Sequence, residues 1–156
     1  MTSFRALDHI GFTVSSLDRS IPFYTVLLGE EPFLRKLWDV EYVGRIVGYP
    51  GVVLDAAFWN LPNDTILELL EYRNPKPGVV DMESYNAGNA HLCLATEDIE
   101  ADFERLRPTA AEFRHPVPVD IPWGPYTGGK AIYLRDPDGI SIELIELPPG
   151  GPAFSA

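Results

Sequence analysis

Two histidines and two glutamates, His9, Glu68, His91 and Glu143, carry the chemistry that this sequence offers. Glu68 lies in Ile66-Leu67-Glu68-Leu69-Leu70-Glu71 and Glu143 in Ile142-Glu143-Leu144-Ile145-Glu146. In each run strand alternation sets one carboxylate beside aliphatic side chains, Glu68 with Ile66 and Leu70, Glu143 with Ile145 and, on its other side, Ser141. An ionised carboxylate so placed loses much of its hydration unless a cation, a hydrogen-bond network or a metal replaces the water. Two imidazoles and two carboxylates suit a divalent first-row ion (Zn, Ni, Co, Mn or Fe(II)) with positions left open for water or substrate.

The order of the elements argues that these four belong together. Leu7 to Val14 alternates, with His9, Gly11 and Thr13 on one face and Ile10, Phe12 and Val14 on the other. Small residues beside His9 leave space above the strand, which a pocket needs and a core would fill. Ser15-Ser16 offers capping hydroxyls to a helix of roughly Leu17 to Leu28, ended by Gly29, with Ile21, Tyr24 and Leu28 at helical spacing. Three strand-like runs follow, Phe33 to Val40, Tyr42 to Val47 and Val52 to Leu61, before the turn Pro62-Asn63-Asp64 delivers the strand Thr65 to Tyr72.

Asn74 to Gly88 breaks every periodicity and reads as a connector, after which the pattern restarts. Ala90 to Ala95 sets His91 and Cys93 on one face, and Thr96 can cap a helix of about Asp98 to Arg107 with Ile99, Phe103 and Leu106 on one side, stopped by Pro108. A Pro- and Gly-rich stretch from Phe113 to Gly129 leads to a strand Lys130 to Leu134, a turn at Asp136-Pro137-Asp138-Gly139, and a closing strand Ile140 to Leu147; the tail after Pro148 reads as frayed. His9 and His91 are 82 residues apart and Glu68 and Glu143 are 75 apart, so a duplicated module pairs them. A lone strand histidine is most often a hydrogen-bonded core or surface residue, and a lone glutamate an edge charge. Here both histidines open a half and both glutamates close one. The third histidine, His115, has no counterpart in the repeat and is expected on the surface.

Composition bounds the remaining classes. With 156 residues, 46% apolar and 12% aromatic, the chain builds one compact domain over 1–156, with module one about 5–73, a linker about 74–88 and module two about 89–147. A formal charge of −11 disfavours nucleic acid and anionic membranes as partners. No long apolar run or signal-like start is present, so a cytoplasmic protein is expected. The single Cys93 is expected to be a buried, inert thiol. Arg45 is a candidate contact for a substrate carboxylate, and Tyr24, Phe58, Trp59, Trp123 and Tyr126 are candidate pocket aromatics, with core packing the competing role for Tyr24 and Phe58.

These residues resemble the vicinal oxygen chelate superfamily, the glyoxalase, epimerase, bleomycin-resistance and extradiol-dioxygenase group. The likeness rests on Leu7-Asp8-His9-Ile10-Gly11-Phe12-Thr13-Val14, Leu27-Leu28-Gly29, Glu68-Leu69-Leu70-Glu71, Gly88-Asn89-Ala90-His91-Leu92 and the closing Tyr133-Leu134-Arg135-Asp136-Pro137-Asp138-Gly139-Ile140-Ser141-Ile142-Glu143-Leu144. It implies an α+β fold of two βαβββ modules forming a curved mixed β-sheet cup with helices on the outer face, and a homodimer. It also implies one divalent ion held by His9, Glu68, His91 and Glu143, which chelates adjacent oxygens of a small carbonyl or carboxylate substrate and acidifies a neighbouring C–H, while Glu68 or Glu143 moves the proton. The strand after His9 lacks the Arg of lactoylglutathione lyases. A second base, as in the similar methylmalonyl-CoA epimerases, falls on Asp55 or, less well, on Glu41. The expectation is therefore an isomerase, epimerase or lyase of glyoxalase type. An Fe(II) extradiol-type dioxygenase of catechols is the alternative, and a non-catalytic ligand-sequestering protein the further one.

Overall fold

The computed structural model describes residues 3–109 and 111–152. It divides into two compact units that meet at Val79 and Val80 in the chain. The expectations for the start of the chain at Met1 and Thr2 and for the end of the tail beyond Pro152 fall outside the described residues.

Unit one runs β1 (His9–Thr13), α1 (Leu17–Leu28), β2 (Leu34–Trp38), α2 (Glu41–Val47), β3 (Val53–Leu61) and β4 (Thr65–Asn74). Its sheet has the order β1-β4-β3-β2, with β1 parallel to β4 and the other pairs antiparallel. One face packs on α1 through Leu67, Leu69, Ala57 and Trp59, which meet Leu17, Tyr24 and Leu27, all buried. Gly29 closes α1 in the left-handed region at φ 77°, where a Cβ would be strained, and its N–H returns to the Thr25 carbonyl.

Two local expectations give way. Tyr42 to Val47 is not a strand: Glu41–Val47 forms α2, whose Val43 packs with Val52 and Leu54. Six residues with two valines and an isoleucine imitate a strand, and burial of one short helical face overrides that propensity. The first helix begins after Ser16 without a side-chain cap from it. Instead Leu17 N–H donates to Glu71 Oε2 at 2.8 Å.

Unit two runs β5 (His91–Thr96), α3 (Ile99–Leu106), β6 (Glu112–Phe113), β7 (Val119–Asp120), β8 (Lys130–Arg135) and β9 (Ser141–Glu146). Its sheet has the order β5-β9-β8-β6, with β7 also on β8 and β5 parallel to β9. Asp98 caps α3 by accepting from Ala101 N–H at 2.9 Å, Asp98 N–H donates to Thr96 Oγ1 at 3.2 Å, and Ile99, Phe103 and Leu106 are its buried side, as the spacing requires. The β8–β9 turn is built by Asp136, whose Oδ1 accepts from Asp138 and Ile140 at 2.8 and 2.7 Å. The short β6 and β7, within and beside the Pro-rich stretch, carry too few residues to show a period.

Candidate metal and proton-transfer site

In unit one, parallel pairing sets Gly11 opposite Glu68 and His9 opposite Ile66, so the histidine and the glutamate share a face one register step apart. His9 Nε2 lies 3.8 Å from Glu68 Oε2. Asp8 Oδ2 lies 2.8 Å from His9 Nδ1. A carboxylate there requires the proton on Nδ1, which leaves the Nε2 lone pair on the Glu68 side when the ring is neutral. The Asp8 hydrogen bond raises the His9 pKa. Burial raises that of Glu68, with His9 opposing. A Cβ on Gly11 would stand 3.4 Å from Glu68 Oε2, so a larger residue would fill the space beside the carboxylate.

In unit two the register repeats: His91 faces Ser141 and Cys93 faces Glu143. His91 Nε2 is 3.1 Å from Glu143 Oε2. Between them stands Tyr133, the cross-strand partner of Glu143, its hydroxyl 2.8 Å from Glu143 Oε2 and 3.2 Å from His91 Nε2. The hydroxyl has one proton and gives it to the carboxylate, with His91 Nε2 alongside its oxygen. Phe58 holds the corresponding place opposite Glu68 and has no such proton. One glutamate is therefore pinned by a hydroxyl and the other is not, a difference that neither spacing nor repeat disclosed.

Cys93 corrects another expectation. It lies on the His91 face and is exposed, because β5 alternates outward at that position. Its thiol is pushed up to about 11, by desolvation first and then by the Glu143 charge and hydrogen bond.

The remaining candidates separate. Phe58 is half-buried on the Glu68 face, its ring 6.2 Å from Phe33. Tyr24 and Trp59 are core, fully buried with ring centroids 6.0 Å apart, and Trp59 Nε1 donates to the Glu30 carbonyl. Arg45 is exposed on α2 in a cleft shared with Glu41, and not amid strands. Trp123 is exposed and Tyr126 half-buried in the loop before β8. His115 is exposed, with Nδ1 2.7 Å from the Val117 carbonyl.

Asp55 sits on the opposite face of β3 from Phe58 and the Glu68 side, and is buried. Arg35 donates to it at 2.9 Å and Arg73 at 3.2 Å. Burial pushes its carboxyl up, but the two guanidinium hydrogen bonds outweigh that and hold it below its ordinary value. A carboxylate so tied on the helix side is a structural anchor, so the second-base role does not fit it.

The structure thus brings His9 to Glu68 and His91 to Glu143. Among the described residues it gathers no three His, Cys, Asp or Glu side chains into a group that could hold a metal.

Two units whose sheets share one strand order, each with a histidine and a glutamate on a parallel strand pair, define a duplicated α+β protein of the glyoxalase fold class. The chain belongs to the Glyoxalase/Bleomycin resistance protein/Dioxygenase superfamily, whose sequence model matches residues 6–144. It is 29% identical over 150 residues to a 2-epi-5-epi-valiolone epimerase from Actinomyces sp., covering 94% of this chain and 82% of that one. It is 32% identical over 151 residues to the lactoylglutathione lyase of Salmonella typhimurium, covering 93% and 95%. In structure it is similar to a glyoxalase family protein from Bacillus cereus, with a TM-score of 0.79, 24% identity and coverage of 95% and 99%. Named enzymes among these relatives support an enzyme of the superfamily. No helix among the described residues is long and apolar enough to cross a membrane.

Proposed function

We propose that this chain is a divalent-metal-dependent isomerase, epimerase or lyase that moves a proton beside the oxygens of a small carbonyl or carboxylate substrate. The ligands are His9, Glu68, His91 and Glu143. The observation that carries the reading is the repeated pair: in each unit an imidazole Nε2 faces a half-buried carboxylate across a parallel strand pair, at 3.8 Å in unit one and 3.1 Å in unit two. The donor set fits a borderline first-row ion such as Zn, Ni, Co or Mn. Asp8 on His9 Nδ1 is the kind of outer partner that orients a ligating ring. Bound there, the ion would act as a Lewis acid on adjacent substrate oxygens and acidify the neighbouring C–H.

The chain's own residues do the rest. Glu143 is held by the Tyr133 hydroxyl, whereas Glu68 has Gly11 beside it and Phe58 opposite. The desolvated Glu68 carboxylate is thus the freer of the two to take up and return a proton, with Glu143 as the second candidate base. Phe58 supplies an apolar wall on the same face. We further propose that the two units act as one domain, that a homodimer is the working assembly, and that the protein is cytoplasmic, with a small molecule and neither nucleic acid nor membrane as its partner.

Elemental analysis of freshly purified protein should give about one Zn, Ni, Co or Mn per chain, and incubation with α-keto or α-acyl substrates in D₂O should wash deuterium into the carbon beside the carbonyl. Tight Fe(II) with oxygen uptake on catechols would replace this reading with the dioxygenase one. A metal-free protein that binds an aromatic ligand stoichiometrically would replace it with sequestration.

A further inference from the structure

Each unit holds a cavity at the far end of its parallel strand pair. In unit one the cavity, about 240 Å³, is lined by Thr13, Tyr49, Tyr72, Pro75, Lys76 and Pro77. In unit two a cavity of about 590 Å³ includes Ala95 and Leu147 in its lining. The offsets that pair the histidines and the glutamates also pair Thr13 with Ala95 and Tyr72 with Leu147. Both cavities touch that strand end, and their chemistry differs. The unit-one lining carries three hydroxyls and an ammonium, while its counterpart carries one hydroxyl, Thr96, with the acids Glu97 and Glu146 and no cation.

We propose that the unit-one cavity is an oxyanion subsite, built for a carboxylate or phosphate carried on an apolar stem. Hydroxyls of Thr13, Tyr49 and Tyr72 and the Lys76 ammonium are donors matched to an oxyanion, in a chain whose formal charge is −11. The prolines and the tyrosine rings supply the apolar wall, Tyr49 and Tyr72 standing edge to face with centroids 6.1 Å apart. The wall is tied in place, since Asn74 Nδ2 donates to the Gly51 carbonyl at 2.6 Å and Val52 N–H to that of Tyr49 at 3.2 Å. Tyr72 lies on the Glu68 face of β4, four residues on, so roughly 13 Å along the strand. The Glu68 charge, with burial and Tyr49 ahead of it, contributes to raising the Tyr72 pKa. A substrate with its reacting carbon at Glu68 and an anionic group several bonds away spans that distance. This last step rests on the function proposed above; the subsite itself does not.

The test is titration of the full ¹⁵N-labelled chain with sodium phosphate and with sodium benzoate at constant ionic strength, against sodium chloride. Saturable amide shifts are expected at Thr13, Tyr49, Tyr72 and Lys76, with Ala95, Thr96 and Leu147 silent. The exposed change Lys76→Ala should weaken both probes about fivefold, and Tyr49→Phe and Tyr72→Phe about threefold to fivefold each. Equal shifts at Ala95 and Leu147, shifts that chloride reproduces, or binding indifferent to Lys76→Ala and to both tyrosine variants would overturn the subsite. Metal titration of the same samples keeps the two proposals apart. Oxyanion binding without metal binding sinks the metal-dependent reaction and leaves the subsite, and metal binding without an oxyanion response does the reverse.

Discussion

Glu71 Oε2 accepts the backbone N–H of Leu17 at 2.8 Å across 54 residues of chain, so the last strand of unit one caps its first helix. Unit two repeats the device: Glu146 Oε2 accepts from Ile99 N–H at 2.9 Å. These carboxylates lie on the helix side of their strands, three residues beyond Glu68 and Glu143, so one strand in each unit serves the candidate site with one acid and the fold with the other. Negative charge at a helix N-terminus satisfies orphan donors and meets the positive end of the macrodipole.

Replacing Glu71 with Ala should therefore cost about 2 kcal/mol, the upper range for a lost cap, because Glu71 is buried and also pairs with Arg73 Nε at 3.0 Å. Glu146→Ala should cost about half that, since Glu146 is only half-buried. Urea unfolding followed by circular dichroism measures both, and equal losses would contradict the role of burial.

The first and last strands of each unit, the bounds of α1 and the faces of both glutamates were legible because period-two and period-3.6 patterns are strong over such runs. The caps were half legible. Alternation in Leu67-Glu68-Leu69-Leu70-Glu71 already sends Glu68 and Glu71 to opposite faces, but a partner 54 residues away leaves no local mark. Tyr42 to Val47 misled because six residues are too few to separate a buried helical turn from a strand. Cys93 misled because apolar neighbours suggested a core, while strand alternation turns it to the open His91 face. The Tyr133 contacts depend on cross-strand register with Glu143, which only the pairing of β8 with β9 fixes.

Exposure makes Cys93 accessible, and its raised pKa of about 11 keeps it a thiol at neutral pH. Reaction with a disulfide reagent should be slow at pH 7 and climb with pH to beyond pH 9. Glu143→Gln removes the neighbouring charge that helps raise the thiol, so the rate at neutral pH should increase several-fold with the protein still folded. A rate unchanged by Glu143→Gln would mean that desolvation alone sets the thiol.

Burial holds the Glu68 pKa above its ordinary value, with His9 opposing. A raised carboxyl contributes stability that is fully present below its unfolded pKa and is lost as pH rises through the folded one. Metal-free protein should therefore be stabilised by Glu68→Gln at pH 7, with the gap closing as pH falls through the carboxylate range. Metal should reverse the sign, since the variant forfeits an anionic ligand. Melting curves with and without chelator, across pH, give both comparisons.

The Asp55 carboxylate predicts the opposite slope. Two guanidinium groups hold its pKa below the ordinary value against burial, so its contribution is present above the unfolded pKa and fades as pH falls through the folded one. Asp55→Asn should destabilise the protein at pH 7, because Arg35 is left with only the exposed Asp18 and Arg73 with only Glu71, with the penalty shrinking in acid. Because Asp55 faces away from Glu68, the same variant should keep metal stoichiometry. Asp8→Asn should instead weaken metal binding about tenfold, the lower range for an outer partner of a ligating histidine, and His9→Ala should weaken it further. Competition with a chromophoric chelator ranks the three. Metal affinity that fell with Asp55→Asn and not with Asp8→Asn would move the site to the helix side of the sheet.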